Sequence, residues 1–227
     1  MSPPTSTCWQ HQLRHRLRTR WLLKTVCISA SISAFMCLYF ALLDHPQFAV
    51  TMMPRLALDH RVPFVPWAVI PYVSLWLYIG LAPALLQLNG EMRRYVSSAV
   101  ILGAIGCAVF LFFPTAVPPV PIDWSRWPMV AFLKSADASG NACPSLHVAY
   151  SVLTASWMTW LLRHVKAPLW LHAVNILWCL LIVWSTLATR QHVVLDVAAG
   201  AALGGAVAWA HLARGRLKAP HLARMAD

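Results

Sequence analysis

Three ionisable side chains stand where two apolar stretches of the chain begin. His147 closes the run Cys143-Pro144-Ser145-Leu146-His147, and His192 and Asp196 frame His192-Val193-Val194-Leu195-Asp196. On a helix, His192 and Asp196 share one face, a single turn apart. A carboxylate beside an imidazole fixes its tautomer and orientation and leaves the other ring nitrogen a free lone pair. Asp196 therefore reads as the orienting group and His192 as the nucleophile. His147 is a second imidazole, with an unperturbed pKa of about 6.5, suited to protonating a leaving alkoxide near neutral pH. Phosphorus is an electrophile that suits such a nucleophile, because the resulting phosphohistidine can be resolved by water or an alcohol.

A phosphoryl group needs positive donors. The Pro144-Ser145 helix start offers free backbone N–H groups, and the Ser145 hydroxyl adds another donor. Arg190, two residues before His192, can pair a phosphate oxygen. Arg126 and Lys134 are weaker candidates in the preceding loop. A zinc site built from His147, His192 and Asp196 lacks a convincing fourth His or Cys ligand. The chemistry is thus expected to run with no metal and no cofactor. His45, His60, His164, His172, His211 and His221 read as residues of the water boundary. The six cysteines form no CxxC pair, zinc spacing or disulfide framework.

These residues must be held by membrane-embedded elements. The 227 residues are 59% hydrophobic and only 11% charged, against roughly 25% charged in soluble domains. The net charge of +11 lies in short clusters between apolar runs, which argues against a nucleic-acid surface. Six spans of about 20 residues, the length that crosses a bilayer, are expected over residues 21–43, 64–88, 95–113, 145–162, 169–187 and 192–212. The fold class is therefore an all-α, six-helix membrane bundle over residues 21–212, with basic tails at 1–20 and 213–227. Pro66, Pro71 and Pro83 predict a kink or late start in the second span. With the N-terminus in the cytoplasm, 13 of the 18 Lys and Arg lie inside. That is the positive-inside pattern, and it puts both termini in the cytoplasm and the histidines at the outer face. Residues 114–144 form a long connection with no obvious element of its own, expected to be an interfacial lid or a plain surface loop. Gly200 and Gly204, echoed by Ala201 and Gly205, predict close packing of the last helix on a neighbour.

The two motifs resemble those of the phosphatidic-acid phosphatase type 2 superfamily of membrane phosphatases and phosphotransferases. Ser145-Leu146-His147 matches its Ser-x-His motif, and His192 with Asp196 matches its later His-x-x-x-Asp. The resemblance, over residues 95–212, implies six transmembrane helices, a phosphohistidine on His192 and proton donation by His147. Cys143-Pro144-Ser145-Leu146-His147 and Gln191-His192-Val193-Val194-Leu195-Asp196-Val197 are most similar to the inositolphosphotransferase branch, which includes inositol phosphorylceramide synthases. The family's Lys and Arg-Pro are missing from the region of Phe112 to Pro119, and its Ser-Arg pair is Ser185 and Thr186 here. Such a loss of positive charge fits a monoanionic phosphodiester donor better than a phosphate monoester. The expected function is a phospholipid or lipid-phosphate headgroup transferase. Its alternatives are a simple lipid phosphate phosphatase, an inactive transporter or scaffold that keeps the fold, and a metal-dependent hydrolase.

Overall fold

A computed structural model describes residues 8–44, 47–87, 90–136 and 140–217. Most of residues 213–227, and the first seven residues of the chain, lie outside the described residues. The basic segment before the first span opens with a helix, α1 (Trp9–Arg18), and α2 (Trp21–Asp44) follows after a corner at Arg20, whose φ is 51°. Arg16 of α1 pairs with Glu91 at 2.8 Å, and its carbonyl accepts from the Lys24 ammonium at 2.8 Å. These contacts seat α1 against the ends of the bundle helices.

The second span is broken, as its prolines predict. After the short α3 (Ala57–Arg61), a 3-10 turn at Pro66–Ala68 leads into α4 (Val69–Val73) and then α5 (Leu75–Leu85). The third span is α6 (Gly90–Phe112). Residues 114–144 are more structured than expected. They hold β2 (Thr115–Ala116), which pairs in parallel with β1 (Thr51–Met52), a 3-10 turn at Trp124–Arg126, and α7 (Pro128–Ala136). Thr115 anchors the end of this segment, bridging to Asn141 and accepting the Cys143 N–H on its Oγ1 at 2.8 Å.

The last three helices are α8 (Leu146–His164), α9 (Leu169–Ala188) and α10 (Val194–Leu217). Five of the six expected spans are long and apolar enough to cross a membrane: Trp21–Ala41, Pro66–Leu85, Gly90–Phe112, Leu169–Ala188 and Val194–Ala213. The sixth, α8, has the length but less apolar character. Its position explains this. It packs against α5, α6, α9 and α10 at the centre of the bundle, so its surface meets protein and need not be lipophilic. Leu153, Trp157 and Leu161 on it are fully buried, and so are Ser151 and Thr154. Ser151 satisfies its hydroxyl on the His147 carbonyl at 2.8 Å.

Candidate functional site

The two motif-bearing helices meet at their N-terminal ends. Ser145 is the N-cap of α8, and its Oγ accepts the Val148 N–H at 3.3 Å. The Ser145 N–H donates to the Asp196 carbonyl at 3.0 Å, a direct tie between the first turns of α8 and α10. Gly200 and Gly204 make that approach possible. A Cβ on Gly200 would collide with the Ser145 carbonyl oxygen, and one on Gly204 with the Ala149 carbonyl oxygen. The echo at Ala201 and Gly205 is not used in this way, since a Cβ on Gly205 would meet nothing among the described residues. Gly106 of α6 lies equally close to the Leu146 side chain.

Within this junction His192 and Asp196 form the expected pair. Asp196 is fully buried and the His192 side chain is 6% exposed. Asp196 Oδ2 lies 3.5 Å from His192 Nδ1 and accepts the Val193 N–H at 2.9 Å. The first distance exceeds a hydrogen bond. Asp196 Oδ1 and His192 Nδ1 are both buried without a hydrogen-bond partner among the described residues. The carboxylate thus sits beside Nδ1 with an acceptor to spare, and such contacts often tighten when substrate is bound.

His147 is held by a residue that the sequence does not mark. Its Nε2–H donates to the Tyr72 carbonyl at 2.8 Å. A carbonyl only accepts, so Nε2 keeps its proton and Nδ1 is the nitrogen left to exchange one. The imidazole also stacks on the Tyr72 ring, with centroids 3.9 Å apart and planes 16° from parallel, and meets the edge of Trp76. Tyr72 stands in the last turn of α4, just before the break at Ser74, where carbonyls lack regular helical partners. The prolines gave the only advance sign of that break. His147 and His192 both line a cavity of about 730 Å³ between α2, α5, α6 and α8, whose walls include Tyr39, Trp76, Leu146 and Tyr150.

Arg190 is held by backbone carbonyls. Its guanidinium does not line the cavity shared by His147 and His192. Nη1 donates to the Asp59 carbonyl at 3.0 Å and Nη2 to the Val62 carbonyl at 2.6 Å. Its backbone adopts a left-handed φ of 61°, a conformation costing a non-glycine residue roughly 1–2 kcal/mol. This ends α9 and lets the Gln191 and His192 N–H groups both donate to the Thr186 carbonyl, at 3.0 and 3.1 Å. The Arg190 pKa is lowered, first by burial and then by the neighbouring Arg55 charge, while Asp59 pulls it up. Lys134 donates to the Arg190 carbonyl and lies over the Trp124 ring, tying α7 to the turn before His192. Arg126 is exposed.

Asp59 is a second residue missed by sequence reasoning. Its Oδ2 accepts the Leu56 N–H at 2.7 Å and its Oδ1 the Val194 N–H at 2.8 Å. The carboxylate therefore caps α3 and α10 together, and 135 positions of chain separate it from Val194. Ser185 and Thr186, standing where the resemblance would place Ser-Arg, turn their hydroxyls back onto the Ile182 and Val183 carbonyls of α9.

The arrangement can support nucleophilic attack by one imidazole with acid assistance from another, at one end of a helical bundle. Comparison with known proteins gives a matching family, the PAP2 superfamily, over residues 94–217. No individual curated protein and no solved structure matches the chain. The family match covers more than half of the sequence and includes α8, α9 and α10, with Ser145, His147, His192 and Asp196 among its residues. The chain is a helical membrane protein and belongs to the PAP2 superfamily.

Proposed function

We propose that this PAP2 protein transfers the phospho-headgroup of a phospholipid through a phosphohistidine at His192. His192 Nε2 attacks phosphorus and the P–O bond to the donor breaks. The departing alkoxide takes the Nδ1 proton of a His147 imidazolium, whose Nε2–H stays on the Tyr72 carbonyl. An acceptor hydroxyl then attacks the phosphohistidine, losing its proton to His147 and releasing His192. Asp196 holds the His192 ring with Nε2 forward and balances its charge while the intermediate stands. Ser145 is fully buried outside the cavity's lining and caps α8 beside the Asp196 carbonyl, so its part is to fix where α8 meets α10. Neither a metal nor a cofactor takes part.

One observation carries this reading: His147 on α8 and His192 in the turn before α10 line the same cavity, His192 beside a buried carboxylate and His147 with its Nε2–H on the Tyr72 carbonyl. The resemblance to the inositolphosphotransferase branch, and the missing family Lys and Arg-Pro, favour a monoanionic diester donor over a phosphate monoester. The basic-residue count supports a site at the outer face of the cell membrane and both termini in the cytoplasm.

Purified protein given a headgroup-labelled phosphodiester lipid and a polyol or lipid alcohol tests the assignment. The expected result is label in a new lipid or polyol phosphate, formed equally well in EDTA. Release of the label to water alone would make the protein a phosphatase. Loss of activity on chelation would overturn the metal-free chemistry.

A further inference from the structure

A second cleft, of about 330 Å³, has Arg190 in its wall and shares no lining residue with the histidine cavity. Arg55, Arg190 and His60 line it together with Asp59, and Phe64, Val120 and Ile122 form its apolar wall. Its charge is unbalanced. Both Asp59 oxygens are occupied by backbone N–H groups. Neither guanidinium has a carboxylate within 4 Å among the described residues. Arg55 directs Nη2 to the Pro118 and Pro119 carbonyls at 2.8 and 3.1 Å, and Arg190 Nε is buried with no partner among the described residues. Two cations held close together by carbonyls, with donor capacity left over, favour an anion between them. The apolar wall suits an anion esterified to an organic group.

We infer that this cleft is a second anion site, distinct from the phosphoryl-transfer centre, that binds a phosphate ester through Arg55 and Arg190. The ester is either a lipid headgroup or a soluble phosphate. This goes beyond the transfer reading, since binding here needs neither histidine. Arg190 and Asp59 join the cleft to the turn that carries His192, so an anion bound there lies next to the reaction centre without entering it.

The test uses the full chain in nanodiscs of zwitterionic lipid, in a His192→Ala background so that turnover cannot be mistaken for binding. Glycerol 3-phosphate is titrated calorimetrically, and phosphatidylglycerol retention is read by native mass spectrometry. Val120→Glu leaves both arginines in place and sets a negative charge on the cleft wall. It is expected to weaken the probe at least about tenfold, whereas Val120→Gln keeps binding and controls for folding. Arg55→Gln should weaken it similarly, and Arg55→Lys should recover part of the loss. Binding of glycerol 3-phosphate identifies a soluble ester. Retention of phosphatidylglycerol alone, lost in Val120→Glu, identifies a lipid headgroup. An affinity unchanged by Val120→Glu, or no binding of either probe, overturns the proposal. Absence of transferase activity in the wild type would sink the proposed function and leave this result standing.

Discussion

Asp196 is the residue on which the proposed chemistry turns. Its Oδ2 already accepts the Val193 N–H, so an amide at this position can keep that bond through its carbonyl oxygen and preserve the start of α10. The NH₂ would then take the place of Oδ1, which has no partner already, and His192 would face a neutral amide oxygen that cannot balance an imidazolium. Asp196→Asn is therefore expected to leave thermal stability nearly unchanged while slowing phosphoenzyme formation by about 10²–10⁴-fold, as measured by rapid quench. His147→Ala should slow lipids with poor leaving groups far more than activated aryl phosphates. An equal loss on both would count against its role as acid. The His192–Asp196 pair was legible from its spacing, although His192 stands in the turn before α10 and only Asp196 is on the helix. The partner of His147 was not, because a backbone carbonyl such as that of Tyr72 leaves no mark in residue identity. Where the Arg190 guanidinium turns was not legible for a related reason: closeness in sequence to His192 does not fix it, and the Asp59 and Val62 carbonyls do.

At the scale of elements, the α8–α10 contact decides whether the site exists. Gly200→Val would drive its side chain into the Ser145 carbonyl, which is backbone and cannot rotate away. A loss of about 1–3 kcal/mol is expected from overpacking alone, seen as a lower Tm in detergent, together with loss of activity. Gly205→Ala, with open space around it, should be neutral or slightly stabilising in the same measurement. Asp59→Ala would leave the Leu56 and Val194 N–H groups without their acceptor, at about 1–3 kcal/mol for each that stays buried. The glycine spacing and the proline breaks foretold these features well, since each acts through local backbone geometry. The inner structure of residues 114–144 was harder to see because its pieces are short. Pro128 at the first position of α7 is a helix-start signal, but nine residues give too little periodicity to stand out among loop residues. The reduced hydropathy of α8 had the opposite effect: it made the central helix the least membrane-like of the six.

At the scale of the whole molecule, the distribution of basic residues supports the proposed orientation. If the site faces outward, sealed right-side-out vesicles should turn over an added short-chain substrate without permeabilisation, and detergent should not increase the rate. Latent activity released only by detergent would reverse the topology. The all-α membrane class was plain from composition, because a chain with so few charges cannot cover a soluble surface. The way the spans line the histidine cavity and the connecting segments line the second cleft was not, since it depends on tertiary contacts such as those of Asp59 and Tyr72 that join distant segments.

The central claim is a covalent phosphoryl intermediate on His192, and it can be read directly. A ³²P-labelled phosphodiester lipid is mixed with the purified protein, quenched in alkali to preserve phosphohistidine, and the labelled peptide is sequenced by mass spectrometry. The account predicts label on His192 that chases into product when acceptor alcohol is added, and none in His192→Ala. Label on another residue, or undiminished turnover by His192→Ala, would contradict it.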